Sequence, residues 1–257
     1  MKFIDTHTHI YLEQFDNDRT EMLKKAYNNG LTKLLVPDID SHHRSKMLTV
    51  CEQNKQYCLP MLGIHPTSVK DDFKEELRLL KESLEKNNVV AIGECGLDYY
   101  WDKTFVEQQT EVLVEQFFLA QHYRLPLVIH SRKSLNELLK LLKQYKQLGL
   151  TGVFHCFPGN LKEAEEVIQL GFKLGIGGVV TYKNATMAEV VKQIPIKYIL
   201  LETDAPYLTP VPNRGQRNES AYIPIIAQKI AELKNISLEE VAMQTTINAQ
   251  ELFKIEL

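Results

Sequence analysis

No apolar run in these 257 residues is long enough to span a bilayer, so a membrane protein of the helical kind is not expected. Cysteine is scarce: Cys51, Cys58, Cys95 and Cys156 form no C-x-x-C pair and suggest no disulfide framework. Reduced thiols and a cytoplasmic location are the simplest reading. Asp5 and His7 arrive before any signal-peptide core could form, which fits an unprocessed chain. A large excess of charge of either sign is also missing. A formal net charge of −3 argues against coating a polyanion nonspecifically, although a local cationic site remains open. Tryptophan occurs once, at position 101. No linker, low-complexity tract or composition break divides the chain, so residues 1–257 are read as one domain. The oligomeric state stays open, and a monomer is compatible with everything above.

What is present is a regular alternation. Short β-rich runs at 2–8, 32–37, 58–63, 89–94, 127–130, 152–156, 172–175 and 199–202 are separated by helical stretches. Within 72–85, Phe73, Leu77, Leu80 and Leu84 recur at helical spacing. Leu135, Leu138, Leu139 and Leu142 do so within 134–145, where Ser134 and Glu137 read as an N-terminal cap. Shorter helices are expected at 161–170 and 187–194, then 221–233, and a last one at 237–255 behind Ser237. Eight strand–helix repeats in this length predict an α/β fold of the closed parallel (β/α)8 TIM-like kind rather than an open sheet.

In such a barrel, working residues sit at the C-terminal ends of the strands. His7 and His9 end the first strand and share a face because side chains alternate, with Asp5 beneath them. Glu94 ends the fourth, His130 the fifth, His155 the sixth and Asp204 the eighth. Any one of these histidines is more simply a hydrogen-bonded structural residue. All six ending on one rim is a different matter. Four imidazoles and two carboxylates exceed the needs of one four-coordinate ion and suit two ions sharing a bridging group. Cys95 and Cys156 each follow a candidate ligand, so regular alternation sends them toward the helical layer as buried thiols. His42, His43 and His122 fall in helical segments, where surface or packing roles are expected.

The segments DTHTH at 5–9, GIHP at 63–66, GECGLDYY at 93–100, IHSR at 129–132, HCFPG at 155–159, LETDAPYLTP at 201–210 and RGQRNESAY at 214–222 span nearly the whole chain. Together they resemble the TatD family of metal-dependent deoxyribonucleases, within the wider metal-dependent hydrolase barrels. The resemblance implies that His7, His9, Glu94 and Asp204 surround one ion and that Glu94, His130 and His155 hold a second, with Glu94 bridging. It also implies hydrolysis of DNA, by 3′–5′ trimming of single-stranded or frayed ends. Cys95, Pro158 and Ser220 depart from the pattern of the family, and none is a proposed ligand.

Two divalent cations address both obstacles to phosphodiester hydrolysis, the repulsion of the nucleophile and the poor leaving group. Imidazole donors favour Zn or Mn, whereas the resemblance implies Mg or other divalent ions. Asp204 is expected to orient the attacking water and accept its proton. His65, on the same rim, is assigned to phosphate contact or leaving-group assistance, against a loop-anchor alternative. Arg132 and Arg214 are candidate phosphate clamps, since a guanidinium binds two oxygens at once. Tyr99 and Trp101 would stack exposed bases at the mouth of the site, unless they merely pack a loop. A competing enzyme reading is an amidohydrolase-like catalyst of an amide, ester or lactone, because the same water could attack a carbonyl. A noncatalytic quality-control binding protein is disfavoured, since it would have no need to keep six ligands.

Overall fold

In a computed structural model of the chain, residues 1–183 and 185–257 are described. Strands and helices alternate: β1 (Phe3–Asp5), α1 (Arg19–Asn28), β2 (Leu31–Pro37), α2 (Ser41–Gln53), β3 (Cys58–Met61) and α3 (Phe73–Lys86) come first. Then follow β4 (Ile92–Asp98), α4 (Val106–Tyr123), β5 (Leu127–Arg132), α5 (Leu135–Gln144), β6 (Gly152–Phe154) and α6 (Leu161–Gln169). The chain completes the pattern with β7 (Phe172–Ile176), α7 (Met187–Gln193), β8 (Ile199–Leu201), α8 (Ile223–Lys234) and α9 (Leu238–Phe253).

All strand pairs are parallel, in the orders β1-β2-β3 and β4-β5-β6-β7-β8. Both seams between these sheets are also bonded. Val90 N–H donates to the Pro60 carbonyl (3.1 Å) and Gly93 N–H to that of Leu62 (2.8 Å). Across the other seam, Thr6 N–H donates to Leu201 (3.0 Å) and Asp204 N–H to His7 (2.9 Å). The sheet therefore closes on itself as the expected barrel.

Alternation sorts the strand residues into two apolar layers. Ile4, Leu35, Met61, Ala91, Val128, Val153 and Leu200 fill the barrel interior, and Ala249 and Phe253 of α9 join them there. Their neighbours Phe3, Leu34, Ile92, Ile129, Phe154, Ile199 and Leu201 face the helical layer. Continuing the inward series up β5 and β6 brings His130 and His155 into the barrel mouth. On β4 simple alternation would place Glu94 on the outer side with Ile92. The strand instead shifts register between Ile92 and Cys95. Such a bulge re-aims the residues beyond it. Glu94 thereby turns inward, while Cys95 and Leu97 join the outer layer.

Several boundaries differ from the sequence reading. Pairing of β1 stops at Asp5 rather than at residue 8, and β6 stops at Phe154, so Cys156 lies beyond regular alternation. With φ at 42°, Cys156 is half-buried on the mouth side instead of buried in the helical layer. Strand β4 runs on to Asp98, which places Glu94 within it rather than at its end. Ser134 does precede α5, but its hydroxyl donates to the Leu97 carbonyl (2.7 Å) instead of capping the helix. Ser237 caps α9 as expected, accepting from Glu240 N–H at 3.1 Å. Among the described residues, no helix is long and apolar enough to cross a membrane.

Candidate metal centre

Asp5 ties the exits of β1 and β8 together. Its carboxylate accepts from His7 N–H (3.3 Å), Thr203 N–H (3.0 Å) and the Thr203 hydroxyl (2.6 Å). Burial, opposed by these hydrogen bonds, pushes the Asp5 carboxyl up to about 7. Three residues beyond β8, Asp204 takes a φ of 57°, a left-handed conformation that aspartate tolerates better than most side chains. The Asp5 anchor brings His7, His9 and Asp204 over the barrel axis from opposite ends of the chain.

The six predicted ligands do meet. His7 Nε2 lies 3.2 Å from His9 Nε2 and 3.1 Å from Glu94 Oε2. Asp204 Oδ1 is 3.5 Å from His9 Nε2, 3.8 Å from His7 Nε2 and 3.9 Å from His155 Nε2. The other Glu94 oxygen is 2.9 Å from His130 Nδ1 and 3.7 Å from His155 Nε2. Glu94 thus faces His7 and His9 with one oxygen and His130 and His155 with the other. Three groups have ligand atoms close enough to share an ion: His7, His9 and Glu94; His7, His155 and Asp204; and His65, Glu94 and His130.

These donors suit a bound metal. Four ligands at zinc-like bond lengths sit about 3.3 Å apart at the corners of a tetrahedron, close to the observed separations. Glu94 is 2% exposed, yet among the described residues neither it nor Asp204 has a Lys or Arg nitrogen within 4.0 Å. A buried carboxylate needs a compensating charge, and only protonated imidazoles or a metal cation can supply it here.

Electrostatics point the same way. Burial opposes the Glu94 charge, but the facing His65, His7 and His155 and the His130 hydrogen bond hold its carboxyl well below the usual range. Asp204 is likewise held low against burial, by His155 and the His9 hydrogen bond. Burial and the neighbouring His155 lower His7, leaving it a neutral imidazole fit to ligate. His155 goes the other way. Burial works against its charge, but Glu202, Asp204 and Glu94 together raise it to about 10, so protons and metal compete at this nitrogen.

Second groups fix which nitrogen of the His9, His130 and His155 rings faces the centre. Tyr11 Oη lies 3.2 Å from His9 Nδ1, and Asp98 Oδ2 lies 3.0 Å from His130 Nε2. Glu202 Oε1 is 3.0 Å from His155 Nδ1, off the best hydrogen-bond direction, and also accepts Cys156 N–H at 2.6 Å. Sequence reasoning missed Tyr11, Asp98 and Glu202. Their signal was positional: Tyr11 and Glu202 stand two residues from His9 and Asp204, and Asp98 stands four from Glu94.

His65 belongs with the cluster but is chemically distinct. Its Nδ1 receives the Thr67 N–H (3.2 Å), so Nε2 keeps its proton and lies 3.3 Å from His130 Nδ1 and 3.4 Å from Glu94 Oε1. Burial, against the charge of Glu94, lowers the ring and keeps it neutral.

Around the mouth, Arg132 stacks over Tyr100 (4.1 Å to the ring centroid) and Trp101 (5.1 Å). Tyr100 and Trp101 are 50% and 67% exposed. Tyr99, expected at the mouth with Trp101, is half-buried against the hydrophobic core. The reason is strand parity at the end of β4: Tyr99 follows the outward Leu97, and Tyr100 turns to solvent. Arg214 is exposed and lies over the Tyr182 ring at 4.1 Å. Among the described residues, neither Arg132 nor Arg214 pairs with a carboxylate. Of the other histidines, His43 meets Asp40 at 2.6 Å and packs on Tyr11, and His122 is exposed on α4.

Residues 4–254 match the family model described as TatD related DNase. The chain belongs to this family. It is 40% identical over 252 residues to the uncharacterized metal-dependent hydrolase YabD of Bacillus subtilis strain 168, covering 98% of each chain. It is 33% identical over 246 residues to the 3′-5′ ssDNA/RNA exonuclease TatD of Erwinia amylovora, covering 93% of this chain and 95% of that one. The crystal structure of the TatD homologue YjjV from Escherichia coli K12 superposes with a TM-score of 0.92 at 33% identity, covering 99% and 98%. As a TatD-family protein, the chain is a metal-dependent hydrolase acting on ester bonds, with the barrel fold of its relatives.

Proposed function

We propose that this TatD-family hydrolase cleaves DNA phosphodiester bonds with two divalent metal ions, trimming single-stranded or frayed ends from 3′ to 5′. The observation that carries the reading is the pairing of a nest of imidazoles and carboxylates with two arginines that, among the described residues, meet no carboxylate, one of them stacked on exposed aromatic rings. The name of the Erwinia relative supports the polarity and the single-stranded substrate.

In this reading His7, His9, Glu94 and Asp204 would hold one ion, and Glu94, His130 and His155 would hold the second. Bound divalent ions would polarise the phosphoryl oxygens and make water at the site more acidic. The protein's own groups do the rest. Asp204, largely ionised at neutral pH, orients the attacking water and accepts its proton. His65, as a neutral donor, gives an Nε2–H hydrogen bond to a phosphoryl or leaving oxygen. Arg132 and Arg214 bind flanking phosphates, and Tyr100 and Trp101 offer rings on which bases stack.

The test is digestion of end-labelled single-stranded DNA with and without divalent metal. Asp204→Asn should lose roughly a hundredfold or more in turnover while keeping its circular dichroism, as expected for removal of a general base. His130→Ala serves as the ligand-loss control. Near-native turnover in metal-loaded Asp204→Asn refutes the assignment. Cleavage of simple esters or lactones with no action on DNA would favour the amidohydrolase-like alternative.

A further inference from the structure

Beside the metal centre, between the segments that follow β6, β7 and β8, lies a cavity of about 670 Å³. Its position is set by the same residues that support His155. Cys156 and Gly175 form part of its wall, and Cys156 donates its N–H to Glu202, the carboxylate behind His155. A Cβ on Gly175 would collide with the Glu202 carboxylate, so glycine both admits Glu202 and leaves this wall without bulk. Val179, Tyr182 and Met187 supply the apolar sides, and Arg214 stands at the edge over Tyr182. No acidic side chain is among the described lining residues.

The lining chooses among ligand classes. A cavity without carboxylates repels no anion and coordinates no cation. An aromatic and aliphatic interior lined also by the cations Lys183 and Arg214 fits a flat, uncharged ring joined to a phosphate. The volume falls within the usual range for small-ligand sites, roughly 300–1,000 Å³. Its wall is continuous with the backbone of a candidate metal ligand, so an occupant would sit next to the reacting phosphate.

We propose that this cavity receives the nucleobase of the nucleotide adjoining the scissile phosphate, with Arg214 holding that nucleotide's phosphate. The assignment rests on the phosphodiesterase reading above and adds a nucleotide subsite to it. Arg214 covers one face of Tyr182, and contact of the base with the other face makes the site tolerant of base identity, since every base has a π-face.

Calorimetric titration of the metal-loaded full chain with thymidine 5′-monophosphate and with 2-deoxyribose 5-phosphate tests it. The nucleotide should bind at least about tenfold more tightly, in line with the contribution of one base stacked on an aromatic side chain. Val179→Trp, which fills the cavity, should erase that preference and leave sugar-phosphate binding intact. Arg214→Gln should weaken both ligands. Thermal melting checks that Val179→Trp folds, and Tyr182→Ala carries the same expectation if it does not. Equal binding of the two ligands by the native protein, or an undiminished preference in the folded Val179→Trp or Tyr182→Ala variant, overturns the proposal. Digestion of single-stranded DNA by the same native preparation separates the two readings. Cavity-dependent nucleotide binding without DNA cleavage supports the subsite and removes the nuclease reading. Cleavage without base-selective binding overturns the subsite alone.

Discussion

Replacing Asp98 by asparagine should loosen the protein and misorient a candidate metal ligand at the same time. One Asp98 oxygen lies 3.0 Å from His130 Nε2, and the other accepts the N–H groups of Tyr100 (2.8 Å) and Trp101 (3.0 Å). Burial raises the cost of its charge, but the His130 hydrogen bond and the two backbone donors outweigh that and bring the carboxyl from 3.8 to about 2. A tenfold change in proton affinity is worth about 1.4 kcal/mol, so the charge contributes at most roughly 2 kcal/mol at neutral pH. Because the folded-state value is depressed, this stability is present above pH 3.8 and is lost as pH falls through about 2. Asparagine keeps an acceptor for the loop but offers an N–H to His130. The ring must then move its proton to Nδ1, the nitrogen that faces Glu94. Metal affinity should drop about 10- to 100-fold, the usual cost of losing such a support. Urea unfolding of chelator-treated protein, followed by far-UV circular dichroism at pH 7 and pH 3, measures the first effect. The difference between native and Asp98→Asn should be roughly 1–2 kcal/mol at pH 7 and about half that at pH 3. A difference below about 0.5 kcal/mol at pH 7, or one that does not shrink in acid, refutes the reasoning.

Two other perturbations read the same architecture. Gly96 has a φ of 149°, and a Cβ there would land inside the His130 carbonyl oxygen. Gly96→Ala should therefore cost about 3 kcal/mol or more in unfolding free energy, combining strain with separation of β4 from β5, and native-like stability would show that the strands can part freely. His155, raised to about 10, contributes stability that is complete below pH 6.5 and lost as pH climbs through 10. Metal-free protein should thus weaken between pH 6.5 and 10, and metal binding at pH 8 should release close to one proton from this ring. Calorimetry in two buffers of different ionisation enthalpy counts that proton, and no release would mean that His155 does not exchange its proton for metal.

Element order and the six converging ligands were legible in sequence because both depend on local periodicity. Apolar runs four to seven residues long, broken by helical stretches, leave few closed arrangements, and a histidine or carboxylate after an apolar run falls on the C-terminal rim of a parallel barrel. The supporting groups were harder to see. Tyr11, Asp98 and Glu202 look like loop or strand residues until the rings they hold are in place. Tyr99 and Trp101 were equivalent as neighbouring aromatics of the same parity, and only the turn after β4, held by Asp98 on the N–H groups of Tyr100 and Trp101, separates the half-buried ring from the exposed one. Cys156 escaped the alternation rule because β6 ends at Phe154.

The amino-acid order alone determined the repeating βα pattern, the TatD resemblance and the identity of the residues that converge, since these follow from spacing along the chain. Closure of the barrel was decided in three dimensions, by hydrogen bonds between segments as distant in sequence as Thr6 and Leu201. The bulge that turns Glu94 inward, the choice of imidazole nitrogen and the cavity beside His155 were decided there as well. Each depends on which groups meet across the barrel mouth, and no periodicity along the chain records that.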